Sequence, residues 1–236
     1  MTVPERDDAA TRLLLYRRAS AALGAFFGRF CSRFCAECLE VTGRHHAGDP
    51  RADVELLEGV FPGCCQAGVA DALWVPRSGD DGRFSPELAR RMERARAQRV
   101  TPPPEPPPYR VRERGTGLVA EGYGCVYGGE AGCRLGELKS PLCIAYACDP
   151  IRGAVAEVLG RAWVGEDGDD FCGCLAALRA CVSARVEEAE DEVGLLEERL
   201  AEGARTLAGW EEQAGVSLFE AQKSSKLRSS PSCPTR

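Results

Sequence analysis

Four cysteines within one glycine- and proline-rich stretch are the residues best suited to chemistry in this sequence. They follow the spacing Cys125-x7-Cys133-x9-Cys143-x4-Cys148, among glycines that permit tight turns. Loops allow thiolates to converge on one point, and four thiolates are enough for a tetrahedral zinc ion or an iron–sulfur cluster. The alternative is that these side chains fill the interior as small apolar residues. We predict that they bind a metal.

A second group of cysteines lies near the end of the first predicted helix. Cys31, Cys35 and Cys38 occupy positions i, i+4 and i+7, which share one helical face. Such a stripe either presents three thiolates to a metal or forms part of the core, and the spacing does not decide between them. The pair Cys64-Cys65 follows a Pro-Gly turn and is predicted to complete the same metal site.

The sequence leaves the roles of five further residues open. His45 and His46 are the only histidines and lie between the two halves of the second group, where metal ligation and a surface pair are both possible. Cys172, Cys174 and Cys181 stand at the start of the last predicted helix. A helix N-terminus lowers a thiol pKa and favours ligation or reactivity, whereas the alternative is burial against a neighbouring helix.

Composition and charge narrow the class of protein. The chain has 236 residues, 13 cysteines and a net charge of −6. An acidic balance argues against binding to a nucleic-acid backbone. The most apolar early stretch, residues 13–34, contains four arginines, which excludes a membrane span there. The N-terminus has no signal-peptide pattern, so we expect a cytoplasmic protein, in which clustered cysteines bind metal more often than they form disulfides.

Hydrophobic periodicity and Gly/Pro punctuation predict the elements that position these cysteines. The stiff segment TPPPEPPP divides the chain and marks its best boundary. Apolar residues at helical spacing predict one long helix near each end, and alternating residues among glycines predict a hairpin between them. Helices are predicted over residues 6–41, 53–60, 64–75, 87–99, 150–162 and 171–210, and the hairpin over 109–127.

The last predicted helix carries a heptad seam with acidic flanks. Its apolar positions alternate in steps of four and three, as in a coiled coil. They are Val182, Val186, Ala189, Val193, Leu196, Leu200, Gly203, Leu207 and Trp210. The seam either packs antiparallel on the N-terminal helix or forms a dimer, and the similar length of the first helix favours packing within the chain. The acidic flank is the surface on which we expect an unidentified protein partner, with neither nucleic acid nor membrane as a partner.

These observations predict a mainly α, or α+β, fold. Long N- and C-terminal helices pack together beside a small irregular cysteine-rich lobe that contains a short β-hairpin. Residues 1–100 are an N-terminal helical region, 101–108 a polyproline linker, 109–170 the metal-binding lobe, 171–220 the long C-terminal helix and 221–236 a disordered tail. Because more than four cysteines accompany only two histidines, an iron–sulfur cluster is favoured as the cofactor, with zinc as the alternative.

The stretch from Cys125 to Cys148 resembles the YkgJ-like family of cysteine-rich bacterial proteins, which chelate zinc or iron. That family shows a C-x7–8-C-x-I-Y-x-x-R-P-x-x-C motif followed by another cysteine. Here Cys133 and Cys143 have the matching interval, and Pro141 stands one position later than the family proline. The resemblance implies a metal or cluster site. Some proteins with this motif resemble flagellin lysine methylases, which keeps an enzymatic function open.

The family's N-terminal C-x-x-C-x-x-C-C run is divided here between the Cys31 group and Cys64-Cys65. The first of these, CSRFCAEC, also resembles the C-x3-C-x2-C pattern of radical S-adenosylmethionine enzymes, in which three thiolates hold an iron–sulfur cluster. Glu37 stands where those enzymes usually have an aromatic residue, and the chain lacks the alternating strand–helix units of their barrel.

Three functions therefore remain open from the sequence. The favoured one is a cysteine-rich metal-binding protein. The first alternative is an S-adenosylmethionine-dependent or other metalloenzyme of methylase or radical type, and the second is a zinc-stapled helical interaction protein. The sequence contains no P-loop, nucleophile elbow or Rossmann glycine set that would indicate another catalytic class.

Overall fold

The computed structural model describes a helical body and a small sheet. The described residues are 8–37, 54–59, 86–100, 105–113, 116–127, 133–140, 143–144, 147–164, 171–183 and 185–224. They form the helices α1 (Asp8–Phe30), α2 (Ser32–Ala36), α3 (Pro86–Arg99), α4 (Asp149–Leu159), α5 (Cys174–Ser183), α6 (Val186–Ala214) and α7 (Leu218–Lys223). The strands β1 (Val54–Gly59), β2 (Pro108–Glu113) and β3 (Val119–Tyr123) form one antiparallel sheet in the order β1-β2-β3. The predicted mainly helical fold is confirmed, and its β structure is a three-stranded sheet.

The core is built from the apolar stripes of α1 and α6. The buried residues of α1 recur every three or four positions: Leu15, Tyr16, Ala19, Ser20, Leu23, Phe26 and Phe30. The predicted heptad positions of α6 from Val186 to Leu207 are buried as well. The two helices pack together within the chain because each hides apolar surface from water, at about 25 cal/mol per Å². Among the described helices, none is both long and apolar enough to cross a membrane.

The helices α1 and α6 run parallel, which corrects the predicted antiparallel packing. Arg18 pairs with Glu197 at 2.7 Å, and further along both helices Arg29 pairs with Glu211 at 2.9 Å. A short connection between two long helices favours an antiparallel pair, as between α5 and α6, but no short connection joins α1 to α6. Because α1 and α6 are far apart in the sequence, their relative direction is set by packing alone.

Both long predicted helices are interrupted, which corrects the continuous segments predicted over 6–41 and 171–210. The first helix ends at Phe30, and a turn at Cys31 separates it from α2. The last predicted helix is divided into a short 3-10 turn, α5 and α6, with Arg185 in extended backbone at φ −64° and ψ 156°. This break allows α5 to pack against both α6 and α1.

The sheet contains a strand where the sequence predicted a helix at 53–60. β1 pairs antiparallel with β2, and two ion pairs join the strands. Arg112 Nη1 lies 3.6 Å from Glu55 Oε2, and Arg110 Nη1 lies 3.7 Å from Glu58 Oε2. Such cross-strand partners determine β structure more than local spacing does. The helix predicted over 53–60 from local spacing is therefore wrong.

The remaining predicted elements agree more closely with the structure. β2 and β3 form the predicted hairpin, and α3 begins at Pro86, a residue typical of the first helical position. α7 extends helical structure to Lys223, a little way into the segment predicted to be disordered, because Ser217 and Glu220 form a capping box. The predicted helix at 64–75 lies outside the described residues.

One close contact within the core is made by a glycine of the heptad seam. Trp163 is buried and stacks on Phe26, with ring centroids 5.7 Å apart. A Cβ added at Gly203 would collide with the six-membered ring of Trp163. The helix therefore passes over the indole at a distance that only glycine permits. Gly194, in the same helix, has nothing within 4 Å of such a Cβ.

We expect the substitution Gly203→Ala to destabilise the protein although alanine is the better helix former. Displacing the Trp163 ring costs about 1–3 kcal/mol, which exceeds a propensity gain of about 1 kcal/mol. The control Gly194→Ala, with open space around it, should instead raise the free energy of unfolding by about 0.5–1 kcal/mol. Urea unfolding measures both changes. Equal stabilisation by the two substitutions would contradict the close contact.

Candidate metal centre

The turn between α1 and α2 positions the first two predicted ligands. Cys31 leaves the helix with its N–H donating to the Phe27 carbonyl at 2.8 Å, and its own carbonyl accepts from Phe34 N–H at 3.1 Å. The Cys31 side chain is completely buried, whereas Cys35, four residues further on, is exposed. The break at Cys31 thus leaves the two thiols in different environments, that of Cys31 in the core and that of Cys35 exposed to solvent.

A cysteine from the first predicted group, Cys148, lies within electrostatic range of this turn. Cys148 is the N-cap of α4, in extended backbone, and is partly buried against the main core. Burial raises the pKa of the Cys31 thiol well above its ordinary range, and the nearby thiols of Cys35 and Cys148 raise this pKa further. Thiols that perturb each other in this way lie within electrostatic reach. Cysteines from two sequence groups therefore influence one another electrostatically at the C-terminal end of α1.

The helix α7 closes this end of the molecule. Phe34 of α2 packs edge-on against Phe219 of α7, with ring centroids 5.1 Å apart. Arg29 and the backbone N–H of Leu218 both bind the carboxylate of Glu211, each at 2.9 Å. These contacts hold the C-terminal ends of α1 and α6 against α7, and they surround Cys31 with packed elements.

An ion network fixes the point from which the chain continues toward Cys38. Glu37 accepts from Lys223 Nζ at 3.1 Å and from Arg33 at 3.3 Å, and Arg33 also binds Glu220 at 3.1 Å. The hydrogen bond from Lys223, followed by that from Arg33, lowers the pKa of the Glu37 carboxyl. Cys38 itself follows Glu37 directly in the sequence and lies outside the described residues.

A second neighbourhood of sulfurs surrounds Tyr16. This phenol is fully buried, and its hydroxyl donates to the Lys139 carbonyl at 2.6 Å. Burial raises the pKa of Tyr16 well above its ordinary value, and the thiols of Cys181, Cys143 and Cys174 raise it further. Cys143 of the first predicted group therefore lies within electrostatic range of Tyr16, as do two cysteines whose roles the sequence left open. Nothing in the sequence linked Tyr16 to these cysteines, because the phenol occupies an ordinary core position of α1.

The turn that connects Cys133 with Cys143 is clamped by arginines. Glu137 belongs to this turn. Its Oε1 accepts a hydrogen bond from Arg17 of α1 at 2.8 Å and also binds Arg99 of α3. The hydrogen bond from Arg99, with a smaller one from Arg17, lowers the pKa of Glu137 to about 2. The buried Arg96 fixes the same turn by donating from Nε to the Leu138 carbonyl at 2.8 Å.

The other predicted ligands lie apart from these neighbourhoods or outside the description. Cys125 directly follows the β3 region, and Cys133 packs in a small separate core beside Leu135. In the ranges that the structure describes, no group of three or more His, Cys, Asp or Glu side chains is arranged to hold a metal ion. A centre made from Cys125, Cys133, Cys143 and Cys148 therefore stays a prediction. The candidates Cys38, Cys64, Cys65, His45 and His46 lie outside the described residues.

The different burial of these thiols predicts different reactivity. Only a thiolate is alkylated readily, and burial raises the pKa of Cys181 to about 12 and that of Cys31 higher still. In reduced, metal-free, folded protein at pH 8 we expect iodoacetamide to modify Cys35 before Cys31 or Cys181. Site-resolved mass spectrometry follows the reaction, and urea-unfolded protein is the control in which all three react alike. Equal rates in the folded protein would contradict the burial.

The depressed pKa of Glu137 predicts an acid-sensitive contribution to stability. Because the pKa in the folded state is about 2, below the ordinary value of 4.5, the contribution is complete above pH 4.5 and is lost as the pH falls toward 2. We expect Glu137→Gln to lower the free energy of unfolding at pH 7 by about 1–2 kcal/mol, after allowance for solvent screening. The difference in free energy of unfolding between the two proteins should shrink at acid pH. A difference that is constant with pH would contradict the lowered pKa of Glu137. Glu187→Gln, an exposed change on α6, is the control.

Comparisons with known proteins found no relative of this chain. No family model, no curated protein and no solved structure matches the chain. The resemblance of the Cys125 to Cys148 stretch to the YkgJ-like family therefore stays a prediction from the motif. What the protein does has to be argued from its own residues.

Proposed function

We propose that this chain is a cysteine-rich metal-binding protein that holds an iron–sulfur cluster or a zinc ion near the junction of α1 and α2. The observation that supports the proposal is that the buried thiol of Cys31 lies within electrostatic range of both Cys35 and Cys148, which come from two separate cysteine groups of the sequence. Three thiols of this kind fit a soft metal, which binds sulfur in preference to oxygen ligands.

The proposed centre needs more ligands than these three. The chain runs from Glu37 directly into Cys38, and Cys64 and Cys65 were predicted from the sequence to belong to the same group. Because the described residues contain no complete ligand group, the proposal requires these sulfurs to be drawn together when metal binds. A bound metal would supply the positive charge that lets buried thiols lose their protons.

The remaining predicted ligands belong to a wider form of the same proposal. Cys125, Cys133 and Cys143 would either contribute to this centre or form a second one. The motif resemblance to the YkgJ-like family supports the class of function, and it is independent of the geometry around Cys31. We further propose a cytoplasmic location, since the nine cysteines in the described ranges are thiols, and a reducing compartment preserves thiols.

Metal analysis of the purified protein tests this proposal. We expect stoichiometric metal after anaerobic purification, with visible charge-transfer absorption and bound iron and sulfide for a cluster, or colourless protein with zinc. The substitutions Cys35→Ser and Cys148→Ser should each reduce the metal content strongly, because each removes a thiolate ligand. Cys35 is exposed, so Cys35→Ser tests ligation with the least disturbance of the core.

The matched control is Cys181→Ala, which removes a buried thiol that lies outside the proposed ligand set and whose role the sequence left open. This variant should keep the metal content of the unsubstituted chain. Folded protein that contains neither iron nor zinc would overturn the proposal. Full metal retention in both Cys35→Ser and Cys148→Ser would overturn the location of the centre.

A further inference from the structure

The outer edge of β3 pairs with no strand in the part of the chain that the structure describes. The sheet order β1-β2-β3 leaves β3 with one neighbour only. At the end of the hairpin, Gly124 N–H donates to the Pro107 carbonyl at 2.8 Å. Bonded and non-bonded pairs alternate along an antiparallel ladder, so the register directs the N–H and C=O groups of Val119, Glu121 and Tyr123 away from β2.

This edge also exposes apolar side chains. Val119 is 44% exposed and Tyr123 58% exposed, and Leu118, just before the strand, is 67% exposed. Large apolar side chains on an unpaired edge strand attract another extended segment, which is why proteins usually cover or charge such edges. The combination of outward backbone groups and exposed apolar side chains matches the edges that bind peptides by strand addition.

A row of alternating charges crosses the sheet and ends at this edge. Arg110 of β2 lies between two glutamates, with Nη1 3.7 Å from Glu58 Oε2 of β1 and Nε 3.0 Å from Glu121 Oε1 of β3. Opposite charges directly across neighbouring strands stabilise their pairing, and like charges oppose it. A further strand beside β3 would continue the alternation if it carried a basic residue opposite Glu121.

The same charges argue against a second copy of this chain as the added strand. Antiparallel pairing of two β3 strands centred on Glu121 would set these carboxylates against each other. The other edge of the sheet, β1, carries Glu55 and Glu58, and it would also bring negative charge to Glu121. The chemistry therefore favours a segment of different sequence.

We propose that β3 binds an extended peptide segment of a partner protein by strand addition. The segment carries arginine or lysine opposite Glu121 and apolar side chains opposite Val119 and Tyr123. Backbone hydrogen bonds along the edge provide affinity, and the basic residue provides the choice of partner. The argument for this site uses none of the cysteines of the proposed metal centre.

Binding of a labelled model peptide to the full chain tests the proposal. The probe is an extended peptide of alternating threonine and valine with one central arginine, followed by fluorescence anisotropy. We expect saturable binding, and about five- to thirtyfold weaker binding of the same peptide with central glutamate. A peptide N-methylated on the amides that face the edge should not bind, because it cannot form the ladder.

Two variants of the chain complete the test. Glu121→Arg should reverse the preference, so that the peptide with central glutamate binds more tightly. Val119→Pro should abolish binding of the arginine peptide, since it removes one outward N–H and leaves Glu121 and the β2 pairing in place. Circular dichroism checks that both variants fold. Absence of binding by the arginine peptide, equal binding of the N-methylated peptide, or an unchanged preference in Glu121→Arg would overturn the proposal.

Discussion

The helix α1 buries its apolar stripe against α5 and α6, and this packing determines where most of the described sulfurs lie. Tyr16, in the middle of the stripe, is surrounded by thiols from α5 and from the loop before α4. Cys31, at the end of the stripe, is sealed by the elements that pack around it. Because one helix supplies both positions, its burial in the core orders cysteines that are far apart in the sequence.

Packing alone does not fix the loops that carry the cysteines, and polar contacts supply the missing constraint. The turn at 136–140 is held by four donor side chains. Tyr16 and Arg96 donate to its carbonyls, and Arg17 and Arg99 bind the carboxylate of Glu137. Buried carbonyls need such partners, because leaving one without a hydrogen bond costs about 1–3 kcal/mol. Three consecutive residues of the turn, 137 to 139, are therefore bonded to side chains of α1 and α3.

The sequence predicted those features that depend on local patterns. The apolar periodicity of α1 and the heptad seam of α6 are spacings between residues close in sequence. Both helices and their packing within the chain could therefore be predicted. The strand at 54–59 could not, because its conformation depends on Arg110 and Arg112 of a distant strand. The direction of α6 relative to α1 also depends on non-local packing, which the apolar spacing of either helix does not contain.

The candidate site shows the same division between local and long-range information. The helical spacing of Cys31 and Cys35 was evident from the sequence, whereas the break at Cys31, which leaves one thiol in the core and the other exposed, was not. The approach of Cys148 to Cys31, and of Cys143 to Tyr16, was not evident, because the sequence grouped cysteines by proximity along the chain. Distance in sequence is a poor guide to which sulfurs meet when the fold joins the two ends of the chain.

Charge around the α1–α2 turn bears on which chemistry this end of the molecule tolerates. Three cations of α1, α2 and α7, namely Arg29, Arg33 and Lys223, each bind a carboxylate, so this network of described side chains is electrostatically balanced while the thiols are protonated. Converting several thiols to thiolates would add negative charge to a buried region, which is unfavourable unless a cation accompanies it. The high pKa of Cys31 reflects this cost.

A metal ion would bring the positive charge that several thiolates need, without breaking the ion pairs that attach α7. A thiolate nucleophile at Cys31 without a metal would have no such counter-charge. The raised pKa of Cys31 therefore argues against a thiolate nucleophile at this position.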